Sequence, residues 1–244
     1  MQPLGRDRGF PSPDRTLLFD GYAAEWLGSA GHFPPARLAV TGNPGLDALK
    51  RRLAALSDAD RREIRSELGV AEGRRVLAFA AKFSEARAAL PALADAVRAR
   101  PDLHLVIKTH PAETPDVYAP AFANVPNVTR TPATADLARV LAVADGIVTV
   151  NSTVAIDALA LGVPALVIGL PNNLSPFVEA GVMLGATAEE DVRRQIEALL
   201  YDGDARRRLH DAAARFAADH GIASDGRAAD RAADAILALG RQTR

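Results

Sequence analysis

The sequence predicts an α/β fold in which a parallel sheet is covered by helices on both faces. Two observations carry that expectation. Short apolar runs alternate with longer helical segments along most of the chain. The runs are apolar at successive positions, as in Val76-Leu77-Ala78-Phe79-Ala80 and Leu105-Val106-Ile107, so both of their faces are buried. A third observation concerns function. Polar clusters follow these runs, where ligands bind in open parallel sheets.

Taken in order, Thr16-Leu17-Leu18-Phe19 reads as a strand, Tyr22 to Leu27 as a helix and Arg37-Leu38-Ala39-Val40 as a second strand. The turn formers Gly42-Asn43-Pro44-Gly45 follow and mark a boundary. Residues 1–44 are therefore expected to form an N-terminal strand-helix-strand segment, and residues 45–244 the main domain. Leu46 to Leu68 reads as helical and charged, restarting at Ser57-Asp58 with Asp60 as its cap. Arg51-Arg52 and Arg61-Arg62-Glu63 read as solvated surface.

The regular part begins with the strand Val76–Ala80. A helix is expected from about Ala86 to Arg100, a strand over Leu103–Lys108 and a short strand over Asn127–Thr129. Then come a helix from Leu137 to Ala144, a strand over Gly146–Val150, a helix from Thr153 to Leu161 and a strand over Ala165–Gly169. Beyond Pro171 the pattern reads as helical. Val192, Ile196, Leu199 and Leu200 form one apolar stripe, and Ile236, Leu237 and Leu239 belong to the last helix.

Composition narrows the function classes. The chain has 244 residues, 48% hydrophobic and 24% charged, with a formal net charge of −1. That balance gives no electrostatic reason to expect nucleic acid as a partner. Cysteine is absent, which removes thiol catalysis, and the five histidines show no metal-ligand spacing. No apolar stretch is long enough to span a bilayer. The expectation is a cytoplasmic protein without metal or cofactor, brought to the inner face of a membrane only through a partner.

Three polar clusters fall at the carboxyl ends of the expected strands: Lys82, Lys108-Thr109-His110-Pro111 and Asn151-Ser152-Thr153. The last opens a helix, whose end offers unpaired N–H groups and a partial positive charge to a phosphate. Ser152 and Thr153 either donate to that phosphate or cap the helix. Asp157, one turn on, lies in an otherwise apolar helix and needs a polar partner, either a ribose diol or a neighbouring cation. His110 can donate to a phosphate or protonate a leaving group, or else it hydrogen-bonds its own loop. Lys108 adds charge beside it. Lys82 and Arg130 are further phosphate candidates whose alternative is plain surface exposure. Arg130-Thr131-Pro132-Ala133-Thr134 offers backbone groups to a nucleobase.

The ordered set of His-Pro after a strand, Asn-Ser-Thr opening a helix, and Ala160-Leu161-Gly162-Val163-Pro164 before a strand resembles the carboxyl-terminal domain of GT-B-fold enzymes. The nearest groups are capsular polysaccharide glycosyltransferases, bacterial sialyltransferases, glycerophosphotransferases of teichoic acid synthesis, and UDP-N-acetylglucosamine 2-epimerase-like proteins. Val40 to Asp47 is similar to the segment where such enzymes pass from their first domain to their second. Asp225-Gly226-Arg227-Ala228 before Arg231 resembles their closing helix.

The resemblance implies a Rossmann-like donor-binding domain for a CMP-, CDP- or UDP-linked substrate. His110 would be the catalytic and phosphate-contacting histidine, and Ser152 and Thr153 phosphate ligands. Asp157 would bind the ribose, although it is shorter than the glutamate that UDP-sugar enzymes carry there. Residues 1–44 would be a remnant of the acceptor-side domain. A partner domain or subunit would then supply the rest of that half, with the saccharide or polyol acceptor site and the catalytic base. The alternatives are a non-catalytic nucleotide-sugar-binding subunit and an epimerase-like protein.

Overall fold

A computed structural model describes residues 13–150, 153–172, 175–222 and 225–242. In chain order the elements are β1 (Thr16–Leu18), α1 (Gly21–Ser29), β2 (Leu38–Val40), α2 (Pro44–Ala54), α3 (Asp58–Glu67) and β3 (Arg75–Phe79). Then follow α4 (Phe83–Ala86), α5 (Leu90–Arg98), β4 (Leu103–Ile107), β5 (Val128–Arg130), α6 (Leu137–Val143) and β6 (Gly146–Thr149). The chain continues through α7 (Val154–Ala160), β7 (Ala165–Ile168), α8 (Pro176–Glu179), β8 (Leu184–Ala186) and α9 (Glu189–Tyr201). It closes with α10 (Gly203–Asp219) and α11 (Ala228–Gln242). Two compact units result, one of Met1–Arg51 with Ala214–Arg244 and one of Arg52–Ala213.

The larger unit holds a six-stranded sheet in the order β5-β4-β3-β6-β7-β8. Every pairing in it is parallel. All residues of β4, β6 and β7 are buried, as a sheet covered on both faces requires. Leu77, Phe79, Leu105, Ile107, Leu166 and Ile168 point into one core with α5 and with Val192, Ile196, Leu199 and Leu200 of α9. The α9 stripe expected from the sequence is thus fully buried. Each such side chain contributes roughly 1.5–3 kcal/mol by leaving water. The opposite face, with Val76, Ala78, Val106 and Val167, is buried as well. There α6 packs on β3, and α7 on β6 and β7.

The smaller unit pairs β1 with β2 in parallel. Its two ends of sequence are joined by specific bonds. Buried Asp47 accepts from Ala228 N at 2.9 Å, and Arg231 Nε donates to Thr41 O at 2.8 Å. Gly42, at φ +86°, permits this approach, since a Cβ there would lie 2.8 Å from Arg231 Nη2 and 3.0 Å from the Ala228 Cβ. The segments around Asp47 and Ala228, far apart in sequence, are therefore one structural knot.

Several local expectations are corrected. The helix expected over 86–100 is α5, which starts later, at Leu90, because Pro91 has no N–H and fits only a helix's first turn, and the short α4 precedes it. The cap of α3 is Ser57, with Asp60 as its reciprocal partner in a capping box. Arg61 is not solvated surface, since its guanidinium donates to Leu53 O at 3.1 Å and to Ala142 O. The region after Pro171 contains β8, a three-residue edge strand too short for its alternation to register. Ile236 and Leu237 of α11 are 60% and 59% exposed. Among the described residues, no helix is long and apolar enough to cross a membrane.

Candidate functional site

The chain runs from β3 outward through β4 to β5, then returns to place β6 on the other side of β3. The strand order therefore reverses between β3 and β6. After β3, α5 packs with α9, whereas after β6 α7 covers the other sheet face. The connections leaving the two strands diverge, and a crevice opens beyond their carboxyl ends, the general place for a ligand in such sheets.

A cavity of about 420 Å³ occupies that crevice. Lys82 and Glu85 border it after β3, Lys108 and His110 after β4, and Thr153 and Val154 at the start of α7. Its walls are fixed by two buried threonines. Thr109 Oγ1 donates to Thr131 O and Thr149 Oγ1 to Ala80 O, both at 2.6 Å. Each bond continues the ladder past the last strand residue, so the loops that follow start from defined positions.

Within the cavity the cationic and donor groups face one space. Lys108 Nζ donates to Thr109 O at 2.6 Å and to Ala133 O at 3.1 Å. An ammonium has three N–H groups, so one is left for a ligand. Burial lowers the Lys108 pKa, and nearby Asp136 acts against that shift. His110 Nδ1 accepts from Ala112 N at 3.1 Å. That bond requires a lone pair on Nδ1, so neutral His110 carries its proton on Nε2 and presents a donor there. Thr153 takes the N-cap position of α7, yet its hydroxyl makes no capping bond. Lys82 is exposed at the cavity's edge.

The other expected residues fare differently. Asn151 and Ser152 lie outside the described residues. Asp157 is half-buried, with no hydrogen bond or ion pair to its carboxylate among the described residues, and burial raises its pKa. Among the described residues, no charged group acts on it. Arg130 is exposed and does not border the cavity. Thr131 does not border it either. It is buried, its N–H donates to Ile107 O at 2.9 Å and its carbonyl accepts from Thr109. Its backbone N–H and carbonyl thus both bond to the sheet and its edge.

One residue that the sequence reading passed over ties the walls together. Glu113 Oε1 accepts from Phe83 N at 2.9 Å, directly after Lys82. Its Oε2 lies 2.9 Å from the hydroxyl of Tyr118, which in turn lies 2.9 Å from Ala81 O. Tyr118 is fully buried, and burial followed by the Glu113 contact pushes its pKa up. Glu113 thus clamps the loop after β4 to the loop after β3. Its position three residues after His110, in Lys-Thr-His-Pro-Ala-Glu, was the signal available.

Comparison with known proteins now bears on this geometry. The model of the family described as capsule polysaccharide biosynthesis protein matches residues 70–216, more than half of the chain. The chain belongs to that family. The matched span includes the whole six-stranded sheet and every residue bordering the cavity. No curated protein matches the sequence.

Among solved structures, a protein named as a UDP-N-acetylglucosamine 2-epimerase, from Listeria monocytogenes, is 24% identical with a TM-score of 0.68, covering 95% of this chain and 61% of that one. The wall teichoic acid polymerase TagF is 16% identical with a TM-score of 0.65, covering 98% and 61%. A glycosyltransferase from Rickettsia africae is 11% identical with a TM-score of 0.62, covering 89% and 61%. These likenesses establish a GT-B-type fold. The chain spans about 61% of the length of these structures.

Proposed function

We propose that this chain binds a nucleotide-activated sugar or polyol by its phosphates, as the donor-binding half of a glycosyltransferase or glycerophosphotransferase of capsule or surface polysaccharide synthesis. The observation that carries the reading is the convergence of Lys82, Lys108, His110 and Thr153 on one cavity where the strand order reverses. Phosphate oxygens only accept hydrogen bonds, and these four groups are donors. Family membership supports the pathway class, and the GT-B-type fold supports the donor class.

In this reading the third Lys108 N–H, His110 Nε2–H and the Thr153 hydroxyl stabilise charge on the phosphate as the nucleotide leaves. Ser152 adds a second hydroxyl. Asp157, half-buried and without a protein partner among the described residues, takes the ribose diol. Of the base-side pair, Arg130 is the member whose side chain is open to a ligand. Residues 45–244 form the donor domain, and residues 1–44 belong to the acceptor side. A partner domain or subunit completes that side, with the saccharide or polyol acceptor and the catalytic base. Such a protein works on the cytoplasmic side and reaches the membrane through its partner. The chain alone should bind donor without transferring it.

Calorimetric titration with CMP, CDP, UDP and UDP-N-acetylglucosamine tests the reading. At least one nucleotide should bind, and Ser152→Ala with Thr153→Ala should weaken it about tenfold or more, two donor bonds being worth roughly 1–3 kcal/mol. Equal affinity in the double variant sinks the phosphate role. An epimerase-like reaction is the second reading, favoured by the fold likeness to the Listeria protein. Release of free sugar or its epimer from UDP-N-acetylglucosamine by the purified chain would support it.

A further inference from the structure

Beside the phosphate cavity lies a second one, of about 200 Å³, at the carboxyl ends of β6 and β7. Glu85 borders both, so its carboxylate stands on the wall they share. The remaining wall of the second cavity is of two kinds. Val150, Ile168 and Ala89 are apolar and buried, and Asn172 brings a side-chain amide.

The chemistry of the shared wall is informative. A carboxylate only accepts hydrogen bonds, so beside a phosphate Glu85 offers repulsion and no bond. Hydroxyl groups reverse that relation, because each can donate to the carboxylate. An amide both donates and accepts, which suits the same hydroxyls from the other side. The apolar patch fits the C–H face of a sugar ring or polyol chain. Because Glu85 borders both cavities, a group linked to a phosphate in the first reaches the second past this residue.

Resting on the phosphate reading above, we propose that the second cavity is the subsite for the donor's transferable sugar or polyol, with Glu85 and Asn172 as its hydroxyl ligands. These two residues set which sugar or polyol is accepted, whereas Lys108 and His110 hold the diphosphate whatever it carries. Glu85 is exposed, so replacing it leaves the core untouched.

The test compares a nucleotide with its conjugate on the full chain: CDP against CDP-glycerol, and UDP against UDP-N-acetylglucosamine. Glu85→Ala and Asn172→Ala should each weaken the conjugate about tenfold, the loss of one or two hydroxyl hydrogen bonds. Neither should weaken the bare nucleotide, and Glu85→Ala should hold it slightly more tightly. Glu85→Gln, which keeps one acceptor oxygen, should fall between. Unfolding midpoints should stay at the wild-type value. Equal affinities of wild type and variants for the conjugate, or equal weakening of nucleotide and conjugate, overturn the subsite while leaving the phosphate reading intact. Absence of binding of CDP and UDP to wild type overturns both.

Discussion

Lys108 Nζ and Ala133 O are 3.1 Å apart, which ties the loop after β4 to the loop after β5. The same ammonium is bonded to Thr109 O and borders the cavity at the carboxyl ends of β3 and β4. It therefore shapes the loop that presents His110 and also supplies the charge that His110 alone does not.

Lys108→Met should separate these tasks. The loss of two hydrogen bonds from a charged donor predicts a stability decrease of about 1–3 kcal/mol by urea denaturation. Nucleotide affinity should fall further, by about tenfold or more at equal folded fraction, because a phosphate loses its cation. A variant that is less stable but binds nucleotide normally would confine Lys108 to the loop.

Glu113 should behave as a clamp. Glu113→Ala leaves Phe83 N without its partner and the Tyr118 hydroxyl with Ala81 O alone, at a cost of roughly 1–3 kcal/mol. Nucleotide binding should weaken because Lys82 and His110 no longer stand at a fixed separation. Tyr118→Phe keeps the carboxylate bond to Phe83 N, so it should lose stability while keeping most of the affinity. Identical binding losses in both variants would contradict that division.

His104 gives the fold a specific pH dependence. It is buried, its Nε2 lies 2.9 Å from Thr129 Oγ1, and its Nδ1 has no hydrogen-bond partner among the described residues. Burial first, then the charges of Arg74 and Arg65, lower its pKa from 6.5 to about 4. The unfolded chain therefore takes up a proton at higher pH than the folded one. Stability is full above about pH 6.5 and falls as pH drops towards 4, by up to about 1.4 kcal/mol per unit and roughly 3 kcal/mol in all. His104→Asn should flatten this slope between about pH 6.5 and pH 5, where most carboxylates do not yet titrate. Urea midpoints across that range decide it, and an unchanged slope would place the dependence elsewhere.

In the smaller unit, Gly42→Ala should be costly. The residue sits at φ +86° and its new Cβ would meet Arg231 and Ala228. A loss of about 1–3 kcal/mol is expected, with the Arg231 bond to Thr41 O disturbed. Wild-type stability in this variant would mean that the Asp47–Ala228 knot yields without strain.

Most of the sheet was legible in the sequence because parallel strands buried on both faces are continuously apolar, as in Val76–Phe79 and Leu103–Ile107. Lys82, Lys108, His110 and Thr153 were legible as well, since their location follows from strand ends alone. What sequence did not reveal depended on contacts across the chain. Glu113 looks like any surface acid until Phe83 and Tyr118 are seen beside it. Glu85 gains meaning only from two cavities meeting at its side chain. That the Thr131 N–H is engaged was not legible, because backbone groups are free or engaged according to the neighbouring strand, here β4. The three residues of β8 carry too little pattern to show, and they form a strand because β7 offers an edge.

The most direct measurement is calorimetric titration of CDP and UDP into the wild-type chain and into His110→Ala. One nucleotide should bind wild type, and the variant should bind it about tenfold or more weakly with its unfolding midpoint preserved, the cost of one charge-assisted donor. Wild-type affinity in His110→Ala, or no binding of either nucleotide to the wild-type chain, would contradict the assignment of this cavity to the donor phosphates.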